Sequence, residues 1–178
     1  MWPGPGGPGV TAFEPEDLEQ RWTDRLYLRR LVAADEDAVI ALESDPATYA
    51  HEEPPTVEQA RERFAGFLGQ WAGDGIGYWA VEVRGTLVGT AGLRFQVWCK
   101  RECWNLGYRF SPAVWGRGYA TEAALEAVQW SFGHVPRLPV VTRTHPGNAA
   151  AIAVALGAGL DRHPDLDADG LITLATRW

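Results

Sequence analysis

Trp104-Asn105-Leu106-Gly107-Tyr108-Arg109-Phe110-Ser111-Pro112-Ala113-Val114-Trp115-Gly116-Arg117-Gly118-Tyr119-Ala120-Thr121-Glu122-Ala123 reads as a strand that runs into a glycine-bracketed turn and opens a helix. Such a junction suits a pyrophosphate. Gly116 and Gly118 permit close approach of backbone N–H groups, and the free amides and positive dipole end of the next helix's first turn favour an anion. Arg117 adds a positive charge between the glycines. The spacing excludes two other phosphate loops: it has neither Gly-x-x-x-x-Gly-Lys-Ser/Thr nor the third glycine of a dinucleotide fingerprint.

Working outward, Leu138-Pro139-Val140-Val141-Thr142-Arg143 reads as a strand, followed by His145-Pro146-Gly147-Asn148 and an alanine-rich helical run closing at Gly157-Ala158-Gly159-Leu160. Upstream, Thr23 to Leu31 reads as an opening strand, and Asp45-Pro46 ends a first helix. Trp115-Gly116-Arg117-Gly118-Tyr119-Ala120 resembles the Gln/Arg-x-x-Gly-x-Gly/Ala motif of GNAT acyl-CoA-dependent N-acetyltransferases, and Ala-Thr-Glu-Ala after it is similar to the Rim-type branch, which acetylates ribosomal-protein N-termini. Asn148 to Leu160 fits that family's Pro-x-Asn, helix, Gly-Phe register with Leu in place of Phe. The resemblance spans about residues 23 to 160.

A chain of 178 residues with 46% hydrophobic residues and nine tryptophans suits one domain with a sizeable core. The net charge of −7 and a pI near 5.1 argue against nonspecific nucleic-acid binding. With no membrane-length apolar run and no basic-then-apolar N-terminus, the protein is expected to be soluble and cytoplasmic. Residues 1–22, rich in Pro and Gly at their start, are expected to be a flexible segment, leaving 23–178 as the domain. Cys99 and Cys103 are expected on one face of a strand or hairpin, too far apart to bridge. No metal-ligand cluster emerges.

The pattern predicts a strand over 25–31, a helix over 35–44, a helix from a Thr56-x-x-Gln59 capping box to about Trp71, and a hairpin of 78–84 and 86–97 around Arg84-Gly85. A strand over 103–110, a helix over 117–132, strand 138–143, helix 148–157 and a closing pair near 160–163 and 171–176 complete an α/β (α+β) order. The resemblance implies the GNAT fold: a mixed, mostly antiparallel central sheet flanked by helices, whose fourth strand (103–110) splays from the fifth (138–143).

By the same resemblance, main-chain atoms of Tyr108, Arg109 and Phe110 hold pantetheine, and Asn148 bonds it from the other side. Residues Trp115, Gly116, Arg117, Gly118, Tyr119, Ala120 and Thr121 form the pyrophosphate loop. The implied donor is acetyl-CoA, with other acyl-CoA thioesters admissible and no metal. The acceptor is an amine, on a protein N-terminus or a small molecule. His51, Glu52, Glu53 and Trp104 are its candidate binding residues.

Transfer needs an unprotonated amine, an oxyanion donor and a proton for the leaving thiolate. Here the chain departs from its relatives. Asn105 stands where Rim-type members often carry a Glu, and Ala151 and Ala155 stand where they place a Ser or Tyr. Asn105, Glu102 (through water) and Glu52 are the candidate catalytic residues, while Tyr108 and Tyr119 could donate protons. The missing groups leave an alternative: a noncatalytic acyl-CoA-binding or protein-interaction domain. The many tryptophans also leave room for a homodimer interface.

Overall fold

The computed structural model describes residues 20–135 and 137–178. Strands β1 (Gln20–Trp22), β2 (Tyr27–Arg30), β3 (Tyr78–Val83), β4 (Thr86–Trp98), β5 (Arg101–Phe110), β6 (Val140–Thr144), β7 (Asp161–Arg162) and β8 (Ile172–Ala175) form one sheet in the order β1-β2-β3-β4-β5-β6-β8-β7. The helices are α1 (Glu36–Glu43), α2 (Val57–Asp74), α3 (Tyr119–His134) and α4 (Ala149–Gly157). The β5–β6 pair is parallel, and the other pairs are antiparallel. This is the expected mixed, mostly antiparallel GNAT-type sheet with flanking helices. No helix among the described residues is long and apolar enough to cross a membrane.

The helices cover both faces of the sheet, and strand alternation decides which residue meets which layer. On β3, Tyr78 and Ala80 pack with Val39 of α1 and with Phe64 and Phe67 of α2. Trp79 and Val81 join the larger core with Ala123, Ala124 and Ala127 of α3 and Ala155 of α4. The alanine stripe on α3 has small side chains, which let that helix lie close to the sheet. Thr56 and Gln59 form the expected reciprocal cap of α2. Arg84-Gly85 and Cys99-Lys100 take left-handed backbone at two-residue hairpin turns.

Two expectations are corrected. Gln20–Trp22 belong to the sheet rather than to a leading flexible segment, because Trp22 pairs with Tyr27 and stacks on its ring at 4.1 Å; residues 1–19 of that segment lie outside the described residues. Cys99 does not share a strand face with Cys103. It is exposed at the hairpin turn, while Cys103 is buried, with its thiol pushed up to about 11 by desolvation.

Trp104 is fully buried and meets Phe95 edge to face at 5.9 Å. Truncating it by Trp104→Ala should therefore cost about 3–5 kcal/mol in urea unfolding. Near the other sheet edge, Arg29 donates to both carboxylate oxygens of Asp35 at 2.8 and 2.7 Å and to Glu82 at 2.7 Å. Burial opposes ionisation of Asp35, but hydrogen bonds from Arg29 and the Val32 amide outweigh it and hold the carboxyl below its ordinary range. A depressed folded value makes this contribution complete above the unfolded value, about 3.9, and removes it as pH falls through the folded one. The stability gap between the natural protein and Asp35→Asn should thus be widest at neutral pH and shrink as urea titrations move below about pH 4. A gap that stays constant with pH would show that the ionised pair contributes nothing.

Candidate functional site

The β5–β6 ladder is short. Trp104 pairs with Val140 and Asn105 with Val141, with the Trp104 N–H donating to Pro139 O at 2.8 Å; β5 then runs on to Phe110 with no further β6 partner. The two strands therefore diverge, as expected. Alternation decides which β5 groups face the gap. The Ser111 N–H donates to Val88 O at 2.9 Å, so odd-numbered residues turn their main chain to β4. Even-numbered Tyr108 and Phe110 turn theirs to the opening. Across it, the Tyr108 hydroxyl donates to Ala151 O on α4 at 2.8 Å, and burial raises the phenol's pKa well above its ordinary value, keeping it protonated.

The turn entering α3 lies at the end of β5. Gly116 and Gly118 take left-handed backbone, with φ of 74° and 77°, and Gly118 is the N-cap of α3. Glu122 N–H is the donor to Gly118 O, which leaves the first-turn amides before it without intrahelical acceptors. Arg25 braces this turn: it donates to Arg117 O at 2.8 Å and to Glu122 at 2.6 Å, and lies over the Tyr119 ring. The Trp115 indole donates to Phe110 O at 2.8 Å, tying the turn back to the strand.

On the opposite face of β5, a cleft of about 380 Å³ is lined by Glu43, Arg63, Tyr78, Arg94, Gly107 and Arg109, among others. Glu43 is buried, pairs with Arg109 at 3.2 Å and Arg63 at 3.6 Å, and accepts from the Tyr49 hydroxyl at 3.3 Å. Asn105 donates its amide to the Tyr78 hydroxyl at 3.0 Å. That hydroxyl lies so close to Gly107 that a Cβ there would stand 2.2 Å from it. Burial raises the Tyr78 pKa, so this phenol too stays protonated. A second hollow, of about 590 Å³, shares Arg63 and is lined by Glu53, Pro54 and Glu62.

Residues 25–161 match the acetyltransferase (GNAT) domain family. The chain belongs to the GNAT acetyltransferase family. A solved acetyltransferase from Agrobacterium tumefaciens superposes with a TM-score of 0.79 at 23% identity, covering 97% of this chain and 100% of that one. RimL, a ribosomal L7/L12 α-N-protein acetyltransferase solved with coenzyme A, superposes with a TM-score of 0.69 at 15% identity, over 88% and 97% of the two chains. Rim-type proteins are thus among the structural neighbours. In sequence, the Aspergillus fumigatus FsC-acetyl coenzyme A-N(2)-transacetylase is 31% identical over 97 residues, which are 54% of this chain and 39% of that protein.

Within this GNAT frame the expected residues separate. Tyr108, Phe110, Trp115, Gly116, Arg117, Gly118, Tyr119, Ala120 and Thr121 lie along β5's even side and the turn it leads into. Arg109 does not present its main chain to the gap. It pairs with Thr90 on β4, and its side chain serves the opposite cleft. Asn148 caps α4, its side-chain oxygen accepting from Ala151 N at 3.0 Å, which commits that oxygen to the helix start and leaves its amide nitrogen as a donor. Trp104 lies in the core on the α3 side, away from the arginine-lined cleft, because alternation sends it opposite to Asn105.

Glu102 is exposed at the far end of β5, paired with Val97, and the fold does not bring it to either cleft. His51 stacks on His145 at 4.6 Å, joining the loop before α2 to the turn before α4, and Glu53 lines the second hollow. Glu52 is exposed on the same loop. Sequence reasoning missed Glu43, Tyr78 and Arg94. Glu43 had a signal, since it interrupts the apolar face of α1 one turn after Val39 and Ile40.

The Asn148 cap yields a direct test. Asn148→Ala should lower stability by about 1 kcal/mol in thermal or urea unfolding without any ligand, from loss of the bond to Ala151 N–H. Unchanged stability would show that the side chain does not hold the helix start.

Proposed function

We propose that this protein transfers an acetyl group from acetyl-CoA to an amine in a ternary complex. The divergence of β5 from β6 beside the glycine-bracketed start of α3 carries this assignment. The Tyr108 and Phe110 main-chain groups offer an added-strand ladder to an amide-bearing arm, and the amides of residues 116–121 suit a pyrophosphate. The Asn148 amide nitrogen is the remaining donor on the α4 side. Bound there, acetyl-CoA supplies the thioester.

The chain's own groups then position and protonate. Holding two substrates together can contribute about 7–11 kcal/mol at the upper end, so little side-chain chemistry is required. Tyr108 takes the place of the missing α4 hydroxyl: Ala151 and Ala155 have none, yet the Tyr108 phenol reaches Ala151 O from the facing strand and holds its proton. It is the proton donor for the leaving thiolate. Asn105 and Tyr78 form a polar pair where the acceptor amine meets β5. His51, Glu52 and Glu53 belong to the acceptor entrance, Glu53 through the second hollow. A protein N-terminus and a small amine both fit an amine-accepting site, and the place of action is the cytoplasm.

A second reading, an acyl-CoA-binding domain without catalysis, is favoured by Asn105, Ala151 and Ala155. The two separate by experiment. Gly118→Glu should abolish acetyl-CoA binding in calorimetry while circular dichroism shows a folded protein, because it strains a left-handed position and sets a carboxylate beside the phosphates. Unchanged affinity would remove the phosphate-loop assignment. Tyr108→Phe should lower kcat by about 10²-fold with acetyl-CoA Kd altered less than about threefold. An unaltered kcat would exclude Tyr108 as the proton donor, and absence of turnover in the natural protein on amines and peptides would favour the noncatalytic domain.

A further inference from the structure

We infer that the acceptor amine also carries a carboxylate, as a free amino acid does, and that Arg94 binds this carboxylate; the inference rests on the acetyl-transfer reading above. Three guanidiniums, those of Arg63, Arg94 and Arg109, line the cleft against the single carboxylate of Glu43. Two of the three are already matched. Glu43 pairs with Arg109 and Arg63, and Arg109 also donates to Thr48 Oγ1 at 2.8 Å and lies over the Tyr49 ring at 4.0 Å.

Arg94 is different. Its Nε is buried with no hydrogen-bond partner, and the residue is part of the cleft's lining. Buried donors are ordinarily satisfied, so one left open in a cleft is suited to an incoming acceptor. The guanidinium fork matches a carboxylate in two parallel hydrogen bonds.

Its place in the sheet fits this role. Arg94 pairs with Asn105 across β4 and β5, so the two side chains lie side by side on the face that carries Tyr78. An amino group held near Asn105 and Tyr78 thus has a cation within reach of a carboxylate on the same small molecule. A volume of about 380 Å³ is of small-ligand size. The excess of positive charge on the lining repels a polyamine, which has no anionic group to set against it.

The test titrates the protein, first saturated with coenzyme A, with common amino acids, their α-carboxamides, spermidine and a neutral tripeptide, using calorimetry and then thiol release from acetyl-CoA. At least one amino acid should bind about tenfold or more tightly than its carboxamide and than spermidine, the loss expected when a charge-assisted hydrogen bond goes unmade. Arg94→Gln should erase that preference by raising the amino acid's Kd about tenfold, with the carboxamide and coenzyme A within about twofold, and Arg94→Lys should retain part of it. The inference fails if no amino acid outbinds its carboxamide, if Arg94→Gln weakens both equally, or if spermidine or the tripeptide binds best. Failure of coenzyme A to bind overturns the acetyl-transfer reading and this inference together, whereas coenzyme A binding without a carboxylate preference overturns this inference alone.

Discussion

Trp104 with Val140 and Asn105 with Val141 are the residue pairs that tie β5 to β6, and the acyl-CoA site proposed above depends on that ladder stopping there. A longer pairing would satisfy the β5 main chain within the protein and leave nothing for a ligand. An absent pairing would split the sheet. The short ladder survives because both strands are anchored on their other sides, β5 by ten register pairs with β4 and β6 by four with β8. The fully buried Trp104 ring holds the point of divergence against the core.

A second constraint acts across β5. Glu43, Tyr49, Arg63 and Arg109 come from four segments and form one charged cluster over the sheet. Taking such charges out of water is costly unless each is paired, and here the carboxylate meets two guanidiniums and a hydroxyl. The cluster holds the loop after α1 against β5, while the His51–His145 stack ties its continuation to the turn before α4.

Much of the fold could be read from the chain. The Thr56/Gln59 cap, the Arg84-Gly85 turn and the Gly116–Gly118 entry to α3 are local signals and form as expected. Parity on β5 was harder: Cys103 and Trp104 are both buried, so hydrophobicity gives no sign of which face is which. Trp104 neighbours Asn105 in the chain yet faces the core, and Arg109 lies between Tyr108 and Phe110 yet turns its main chain to β4. The Glu43 charge cluster could not be read either, since its members become neighbours only once the helices pack. Asn148 matched its motif, but that match could not tell a helix cap from a ligand contact.

The alternation along β5 carries one more implication. Asn105 and Arg109 send side chains to the face of the arginine-lined cleft, and even positions such as Trp104 and Leu106 send theirs toward α3 and α4, so the two faces of the sheet are served by separate, interleaved registers of a single strand. Diversification can then proceed on one register while the other is left untouched. A one-residue slip in the strand, by contrast, exchanges both registers at once. Homologues and engineered variants of this architecture should thus tolerate point changes in β5 far better than insertions or deletions.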